Sequence, residues 1–596
     1  MSSTASLKEV KPAIPSDSLL SSVIHNQQNV AEESAPAAFF EADAGDGTKR
    51  EDMYLSGKKL ALCLASLFLC MFLFALDQLI VTTILSTVGS KFNALNQVGW
   101  LSSGFLISMA VLVAVWGKLS IVFGRKSTML VAVLFFEAGS LMCALANDMN
   151  VLIGGRVLAG IGGGGIQTMT FIIVTEILPI HKRPMGMALI GTVFGVASVL
   201  GPLIGGAFTS GVSWRWCFYI NLPVGAVAVV VFIFSFNPPK GHGNIWAKLK
   251  IIDYPGIFLL TSGLVLLLLA MTFGSGGEFP WHSGAVISCF VLGGLLTIGF
   301  GVWNFCFSKN QLIPIEVVKV WPTMAAAITM YGMFACFMAA AIFLAIYFQV
   351  IHGASAWRSG VDMLPLIISV VLTSITGGIL VKKTRFVKPF VIFGTSMTMI
   401  GSGLLTLLEV DSPTSKKIGL LIPLGVGIGI NMQAAIMAGQ ITAPKTPGGI
   451  ILATTVINFC RSVGGAIAGI LADVVYTSTI EKNLQPELMK QSPAVIEELS
   501  KYNLRSLIQQ NITGLSPASE YFLKSVIMKA IKYVFYVNFA YASIALIFSL
   551  FVTNQRLPEA TPQERDSVKD SEDVKSAEVK PAEVEPAQEK PIEQKA

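Results

Sequence analysis

The sequence is poor in charged residues. Asp, Glu, Lys and Arg make up 13% of the 596 residues, whereas a soluble domain usually carries about 25%. Hydrophobic residues make up 53%, and the mean hydropathy is +0.67. A soluble core cannot bury so large an apolar fraction, so lipid has to solvate part of the chain. The composition excludes an ordinary soluble protein and makes the lipid bilayer the first expected partner.

Residues that bind metals or perform covalent catalysis are few and scattered. None of the eight cysteines forms a CxxC pair, and all lie in or beside apolar segments, which argues against a metal site or a disulfide framework. The five histidines are isolated, and no Ser/His/Asp set or cytoplasmic domain is present to form an active site. The sequence predicts neither an enzyme nor a bound metal or cofactor.

The two ends of the chain lack long apolar runs. Residues 1–57 have no apolar signal-peptide core, so the first apolar helix is expected to direct its own insertion. Residues 554–596 are rich in Pro, Glu, Lys and Ala, a composition that buries too little apolar surface to fold. Both tails are predicted to be disordered and cytoplasmic. The net charge of +6 is spread over short loops, so nucleic acid is not an expected partner.

Between the tails, apolar runs of about twenty residues recur, each long enough to cross a hydrocarbon core of about 30 Å. We place fourteen of them, near residues 60–85, 98–121, 127–146, 151–178, 185–208, 217–236, 254–273, 285–306, 323–349, 360–381, 389–408, 418–438, 451–476 and 533–553. The sequence therefore predicts an all-α membrane protein with about fourteen transmembrane helices.

The cationic loop residues predict how these helices are oriented. With the N-terminus inside, the predicted inner loops hold fourteen Lys and Arg residues, and the short outer loops hold five. This bias agrees with the positive-inside rule, and an even number of helices places both tails in the cytoplasm. The last outer loop, predicted at 477–532, is long and carries the only N-glycosylation sequon, Asn511-Ile512-Thr513.

Ionisable groups inside the predicted helices cost about 2.5–3.5 kcal/mol on insertion scales and are therefore functional candidates. Asp77 in helix 1 and Arg156 in helix 4 should both lie in the outer half of the membrane, where they can pair. Two interpretations stay open: Asp77 exchanges protons, which we favour, or the two charges form a fixed ion pair that orders two helices. Glu137 in helix 3 is either a cavity carboxylate or a helix-packing hydrogen bond.

Five further polar side chains lie in predicted helices 4, 12 and 13: Gln167, Asn431, Gln433, Asn458 and Arg461. They either line a substrate cavity or hydrogen-bond between helices, which is the commoner case.

Two glycine-rich stretches lie inside predicted helices. Gly160–Gly165 matches GxGxxG, but no strand precedes it, so a dinucleotide site is rejected. Its small residues should instead let helix backbones approach closely. In helix 5, Pro202 within the run Gly201–Gly206 removes a backbone hydrogen bond and allows a bend.

Together, these segments resemble the major facilitator superfamily, in particular its fungal fourteen-helix drug:proton antiporter branch. The similar segments are Leu76–Val81 in helix 1, Gly117–Lys126 between helices 2 and 3, Gly155–Gly160 in helix 4, Gly201–Gly206 in helix 5 and Trp214–Pro223 before helix 6. The resemblance implies that Asp77 and Arg156 serve proton coupling. It also implies an antiporter motif in Gly201, Pro202, Gly205 and Gly206 and a cytoplasmic gate in Gly117, Gly124, Arg125 and Lys126. Ile121 stands where the loop motif usually has an Asp that latches the cytoplasmic side, so this latch is expected to differ.

The same resemblance implies two six-helix bundles, residues 58–236 and 307–553, with an inserted helix pair at 237–306. The bundles would rock about a central cavity. The expected function is proton-coupled export of small organic compounds, cationic or amphipathic. Vacuolar transport of basic amino acids is the alternative, and nutrient sensing is a minor one. We expect a monomer, with the plasma membrane favoured over the vacuolar membrane.

Overall fold

The structure of the chain is a computed structural model, and all regular secondary structure that it describes is helical. The described residues are 53–94, 97–239, 249–276, 279–500 and 515–557. Most of the two predicted tails and the predicted glycosylation site, Asn511, lie outside these ranges. Those predictions therefore stay open.

The described residues contain one long helix at each of the fourteen predicted apolar runs. In chain order they are α1 Gly57–Ile80, α2 Gly99–Phe123, α3 Arg125–Leu145, α4 Met149–Ile177, α5 Arg183–Gly211, α6 Asn221–Ser235, α7 Tyr254–Gly276, α8 Gly284–Val302, α9 Trp321–Ile346, α10 Leu364–Thr384, α11 Lys388–Leu405, α12 Thr414–Ile441, α13 Gly449–Leu488 and α14 Pro517–Ser549. By length and composition, thirteen membrane-spanning helices are found among the described residues, one of them joining the short helix Trp216–Tyr219 to α6. The remaining helix, α11, has 18 residues and begins with the charged Lys388. The predicted all-α membrane fold is confirmed.

The largest differences from the predicted boundaries are in α13 and α14. The apolar run of α13 ends near residue 476, but the helix continues to Leu488, and α14 begins at Pro517. The polar extension of α13 keeps one buried face, with Ile480, Leu484 and Leu488 at a four-residue spacing. Hydropathy marks the length that lipid covers, whereas this packing face sets where the helix ends.

Helix contacts divide the chain into groups. Among the first six helices, α4 packs on α2 and α3, and α1 packs on α5 and α6. Among the last six, α9 packs on α13 and α14, and α12 packs on α10 and α11. Helices α5 and α10, and helices α2 and α13, join the two groups. Helices α7 and α8 pack on each other, and α7 also contacts α2 and α13.

Glycines set the close packing of α4 between α2 and α3. A Cβ atom at Gly162 would overlap the backbone of Phe136 in α3, and one at Gly164 would lie 2.7 Å from the Met109 carbonyl oxygen in α2. The glycine-rich stretch therefore brings three helix backbones together, as the sequence predicted. Because α4 carries Arg156, Gln167 and Phe171, this packing also positions the candidate site.

Replacing Gly162 with Ala should destabilise the protein by about 1–3 kcal/mol, because the added methyl group overpacks the α3–α4 contact. Gly294→Ala in α8 is the matched control, since no heavy atom lies within 4 Å of the added Cβ. Thermal unfolding of the purified proteins, followed by tryptophan fluorescence, compares the two variants. An unchanged unfolding temperature for Gly162→Ala would show that the close α3–α4 contact does not determine the stability of the protein.

Candidate functional site

Asp77 and Arg156 form a buried ion pair between α1 and α4. The Nη1 atom of Arg156 donates to Oδ2 of Asp77 at 2.5 Å, and both side chains are at most 1% exposed. Helix α4, which carries Arg156, begins with a cap from Asp148, whose carboxylate accepts from the Val151 amide. The structure thus brings together the two charges that the sequence placed at one depth.

Two polar residues complete the surroundings of this pair. Asn221, at the start of α6, donates through Nδ2 to Oδ1 of Asp77 at 3.2 Å and to Oγ of Ser140 at 3.0 Å. The Nε atom of Arg156 donates to the Leu101 carbonyl oxygen at 3.0 Å. Each carboxylate oxygen of Asp77 therefore has a donor. Asn221 lies in the Trp214–Pro223 segment and was not among the predicted site residues.

Glu137 of α3 does not join this pair. Its carboxylate lies against Gly225 of α6, where a Cβ atom would overlap Oε1. Neither carboxylate oxygen has a hydrogen-bond partner among the described residues. The helix-packing hydrogen bond that the sequence allowed is absent from the part of the chain that the structure describes. The structure therefore places this carboxyl group between α3 and α6, inside the first group of helices.

Arg461 of α13 is the second buried arginine of the site. It is 0% exposed, and three phenylalanine rings surround its guanidinium, with Cζ-to-centroid distances of 4.1 Å to Phe334, 5.3 Å to Phe171 and 5.7 Å to Phe194. Its Nε, Nη1 and Nη2 atoms have no hydrogen-bond partner within the described ranges. Helices α4, α5, α9 and α13 thus meet around an arginine that contacts aromatic rings rather than an acid.

Gln167 and Asn458 lie on the helices that carry these groups. Gln167 of α4 donates through Nε2 to Oγ of Ser462 in α13 at 3.0 Å. Asn458 donates through Nδ2 to the Thr454 carbonyl oxygen of its own helix at 3.1 Å. The side-chain oxygen atoms of both amides are buried and have no partner among the described residues. Of the two amides, Gln167 makes the interhelical bond.

The polar residues of α12 serve different roles. Gln433 donates to the Ser374 carbonyl oxygen of α10 at 2.7 Å, and Oγ of Ser374 lies 3.2 Å from the Ala188 carbonyl oxygen of α5. Gln440, which the sequence analysis missed, donates to Thr175 of α4 at 3.0 Å. The amide of Asn431 packs near Gly394 and makes no hydrogen bond with a described residue. Gln440 therefore joins the two groups of helices directly, and Gln433 holds Ser374, whose hydroxyl group makes the second link.

The loop motif between α2 and α3 contains a second buried ion pair. Nη2 of Arg125 lies 2.8 Å from Oε1 of Glu176, and Nε lies 3.0 Å from Oε2, with both side chains at most 2% exposed. Glu176 lies at the end of α4 and was not among the predicted site residues. Gly124 has φ +87° and ψ 156°, a conformation essentially restricted to glycine.

The other two residues of the predicted gate make separate contacts. Lys126 donates to the Ile233 carbonyl oxygen at 2.6 Å and to Oδ1 of Asn237 at 2.5 Å, which ties α3 to the end of α6. Gly117 of α2 lies so close to Thr455 of α13 that a Cβ atom would overlap the threonine side chain. Ile121 is partly buried on α2. Gly117 is therefore the member of the motif that contacts the last six helices.

The proline-containing motif of α5 packs against α1 near Asp77. Helix α5 continues through Pro202 without a break. A Cβ atom at Gly201 would lie 3.2 Å from Cβ of Leu79, and one at Gly205 would lie 2.8 Å from Cγ1 of Ile80. Gly206 lies on the same helix and is partly buried. The motif thus forms a contact surface for the segment that follows Asp77.

The profile of the Major Facilitator Superfamily matches residues 67–469. The chain belongs to this superfamily. The match covers the segment from α1 into α13, which contains both buried ion pairs and Arg461. Members of the family are transporters and not enzymes, as the sequence predicted.

Curated relatives cover 78–86% of the chain. It is 33% identical over 559 residues to Vacuolar basic amino acid transporter 5 of Saccharomyces cerevisiae, covering 86% of this chain and 94% of that protein. It is 32% identical to Azole resistance protein 1 of the same yeast, covering 83% and 88% of the two chains. It is 35% identical to Efflux pump aflT of Aspergillus parasiticus, covering 78% and 91%.

Solved structures show the same fold at low sequence identity. A bacterial homologue of the human lysosomal transporter Spinster, in an inward-facing and unoccupied conformation, matches with a TM-score of 0.51 at 14% identity, covering 85% of this chain and all of that chain. The human organic anion transporter MFSD10 (TETRAN) matches with a TM-score of 0.50 at 13% identity, covering 82% of this chain and all of that one. At these identities the likeness concerns the fold alone.

Proposed function

We propose that the protein is a proton-coupled antiporter that exports small organic compounds. The observation that carries this proposal is the buried Asp77–Arg156 pair, a carboxylate held by one cation and one amide inside the membrane part of the chain. Ionisable groups at such positions are expensive and are a common feature of proton pathways. Relatives named as an efflux pump and as an azole resistance protein support the direction of transport.

Two helical bundles, α1–α6 and α9–α14, would move against each other to give alternating access. The contacts between the two bundles support this arrangement. The helices that join them pack closely, and few hydrogen bonds cross between the bundles in the described part of the chain. Gln167 to Ser462 and Gln440 to Thr175 are single hydrogen bonds of 3.0 Å that can be exchanged for others. Helices α7 and α8 would form the inserted pair beside α2 and α13.

In the proposed cycle, Asp77 takes up a proton and loses its negative charge. Its attraction to Arg156 then falls, while Arg156 keeps the Leu101 carbonyl oxygen and the Phe105 ring, 4.3 Å from Cζ. If the ion pair stabilises one of the two alternating-access conformations more than the other, losing it shifts the equilibrium between them by that difference in energy. Glu137 is a second carboxyl group in the same bundle that can exchange protons.

The positions of the acidic groups favour amphipathic substrates over simple cations. Asp77 is paired with Arg156, and Glu137 faces α6 rather than the contact between the two bundles. Neither carboxylate is positioned to bind a substrate cation at that contact. We propose a monomer in the lipid bilayer, with the plasma membrane as its location.

The direct test is transport by the purified protein in proteoliposomes with an imposed pH gradient and a pH-sensitive dye inside. Three compounds are added in turn: a lipophilic cation, labelled arginine and an amphipathic drug. Each should dissipate the pH gradient only if the protein transports it. We expect the amphipathic drug to give the largest response. No substrate-dependent proton flux with any of these compounds would contradict antiport, and absence of flux of any kind would favour a sensor.

Vacuolar import of basic amino acids is the second candidate. It is favoured by the match to Vacuolar basic amino acid transporter 5 over 94% of that protein's length. A fluorescent tag on the C-terminus separates the two locations, since export across the plasma membrane requires a signal at the cell surface. A vacuolar rim together with proton-driven arginine uptake would replace the first proposal by this one.

A further inference from the structure

Arg461 is a buried cation whose N–H groups have no acceptor among the residues that the structure describes. A guanidinium has five N–H donors, and each of its three nitrogen atoms is without a hydrogen-bond partner among the described residues. The described acids Asp77 and Glu176 pair with other arginines, Arg156 and Arg125. Burying a charged group without acceptors is strongly unfavourable, so this arrangement needs a physical explanation.

The three phenylalanine rings supply part of that explanation. A ring face attracts a cation, and Phe334 lies closest to the guanidinium, at 4.1 Å. Ring faces do not accept the in-plane N–H bonds that a carboxylate accepts in pairs. The rings therefore make the position tolerable for a positive charge and leave its directional hydrogen bonds to another group.

Arg156 provides an internal comparison. It also lies over a phenylalanine ring, but its N–H groups reach Asp77 and the Leu101 carbonyl oxygen. Within the described ranges, Arg156 and Arg125 thus each have an acid supplied by the chain, and Arg461 does not. Arg461 is the buried arginine of those ranges for which all three guanidinium nitrogen atoms lack a hydrogen-bond partner.

Two further unpartnered atoms lie on the same helix faces. Gln167 is four residues before Phe171 on α4, and Asn458 is three residues before Arg461 on α13, spacings that place side chains on one face. Their buried amide oxygen atoms have no partner in the described part of the chain. These atoms can accept hydrogen bonds from hydroxyl or N–H groups of a ligand held at Arg461.

We propose that Arg461 binds the anionic group of the transported compound, and that the substrates are small aromatic or apolar acids carrying a carboxylate, phenolate or enolate. The guanidinium would bind the anion, while Phe171, Phe194 and Phe334 would contact the apolar part. The site lies where α4 and α5 meet α9 and α13, which is the contact between the two proposed bundles. The inference rests on the proposed transport function and specifies its substrate class.

The test compares three probes that share a naphthalene ring and carry a negative, a neutral or a positive polar group. The wild-type protein in lipid nanodiscs is titrated by calorimetry with 2-naphthoate, the neutral 2-naphthamide and the cationic 2-naphthylmethylammonium. A charge-assisted hydrogen bond should make naphthoate bind about 10- to 100-fold more tightly than the amide. Arg461→Met should remove this preference, and Arg461→Lys should retain part of it, because an ammonium keeps the charge but loses the paired geometry.

Arg358→Met is the matched control, because the Arg358 side chain is 65% exposed outside this site. It should keep the naphthoate preference. Cooperative thermal unfolding of every variant shows that it is folded. Equal affinities for naphthoate and naphthamide in the wild type, no naphthoate binding by the folded wild type, or a preference that survives in Arg461→Met would overturn the proposal.

Failure of the proposed antiport can be distinguished from failure of the anion site. If wild-type proteoliposomes show no proton flux on addition of naphthoate although the nanodisc protein prefers it, proton antiport is wrong while the anion site stands. If proton-coupled flux occurs with the cationic probe and Arg461→Met leaves it unchanged, antiport stands and the anion site is wrong.

Discussion

Replacing Asp77 with Asn should reduce proton-driven transport to the background of empty proteoliposomes. The amide has nearly the shape of the carboxyl group but cannot take up or release a proton. The measurement is substrate-dependent proton release under an imposed pH gradient. Exchange of labelled substrate without a gradient needs no proton uptake and should continue in the variant. Loss of the first activity with retention of the second would identify Asp77 as a coupling residue.

The structure makes a second variant necessary. Asp77→Asn leaves the charge of Arg156 buried at 1% exposure, and breaking a buried ion pair by removing one partner costs about 3–5 kcal/mol. Lost transport could then come from poor folding. The double variant Asp77→Asn with Arg156→Gln removes both charges and should recover most of this stability. If the pair only orders α1 and α4, the double variant should transport, whereas a coupling role predicts a folded but uncoupled protein.

Ser140→Ala is the control for the surrounding network. It removes the 3.0 Å hydrogen bond from Asn221 but leaves the ion pair intact. Proton-driven transport should therefore persist in this variant. Full transport by Asp77→Asn, or by the double variant, would contradict proton coupling through Asp77.

The membrane fold was predictable because one physical quantity, the length of an apolar run, determines most of it. Each of the fourteen runs coincides with a helix, and the small residues of α4 pack closely as expected. The ends of α13 and α14 were not predictable in this way. Outside lipid, a helix is stabilised by a narrow apolar face, such as Ile480, Leu484 and Leu488. Mean hydropathy combines this face with the polar residues around it, so it does not detect the helix.

The candidate site was predictable where charge and depth were sufficient. The pairing of Asp77 with Arg156 was predictable because an isolated charge in lipid is costly, and two opposite charges at one depth reduce that cost by pairing. Glu176 was missed because a carboxylate at the end of an apolar run resembles an interfacial residue. The lack of an acceptor for Arg461 among the described residues could not be predicted. It depends on which faces of α4, α5, α9 and α13 meet, and a single sequence does not specify those contacts.

Replacing Glu176 with Gln should destabilise the protein by about 3–5 kcal/mol, because it removes one partner of a buried ion pair. The carboxylate of Glu176 accepts three N–H contacts from Arg125 of 2.8–3.1 Å. The double variant Arg125→Gln with Glu176→Gln should recover much of the loss, since a buried pair replaced on both sides is often neutral in stability. Unfolding by denaturant in detergent, followed by tryptophan fluorescence, gives the four free energies of a double-mutant cycle.

Glu520→Gln is the matched control for this charge removal. Glu520 pairs with Lys524 one helical turn away at 2.6 Å, with side chains 39% and 20% exposed. An exposed pair of this kind contributes about 0.2–1 kcal/mol, so this variant should unfold close to the wild type. Equal losses for Glu176→Gln and Glu520→Gln would show that burial does not strengthen the Arg125–Glu176 pair.

The cycle also tests whether the Arg125–Glu176 pair takes part in the proposed cytoplasmic gate, whose motif has Ile121 at the position of the usual acid. Arg125 and Glu176 belong to α3 and α4, which both lie in the first group of helices, so their pair fixes the loop motif within one bundle. Beyond the first group of helices, Gly117 of this motif packs against Thr455, and Lys118 donates to the Gln311 carbonyl oxygen at 3.3 Å. These are a shape contact and a hydrogen bond to the backbone rather than ion pairs. We therefore expect Glu176→Gln to lower stability while the salt dependence of transport stays unchanged. A transport rate that becomes strongly salt-dependent in this variant would instead place the ion pair in the gate itself.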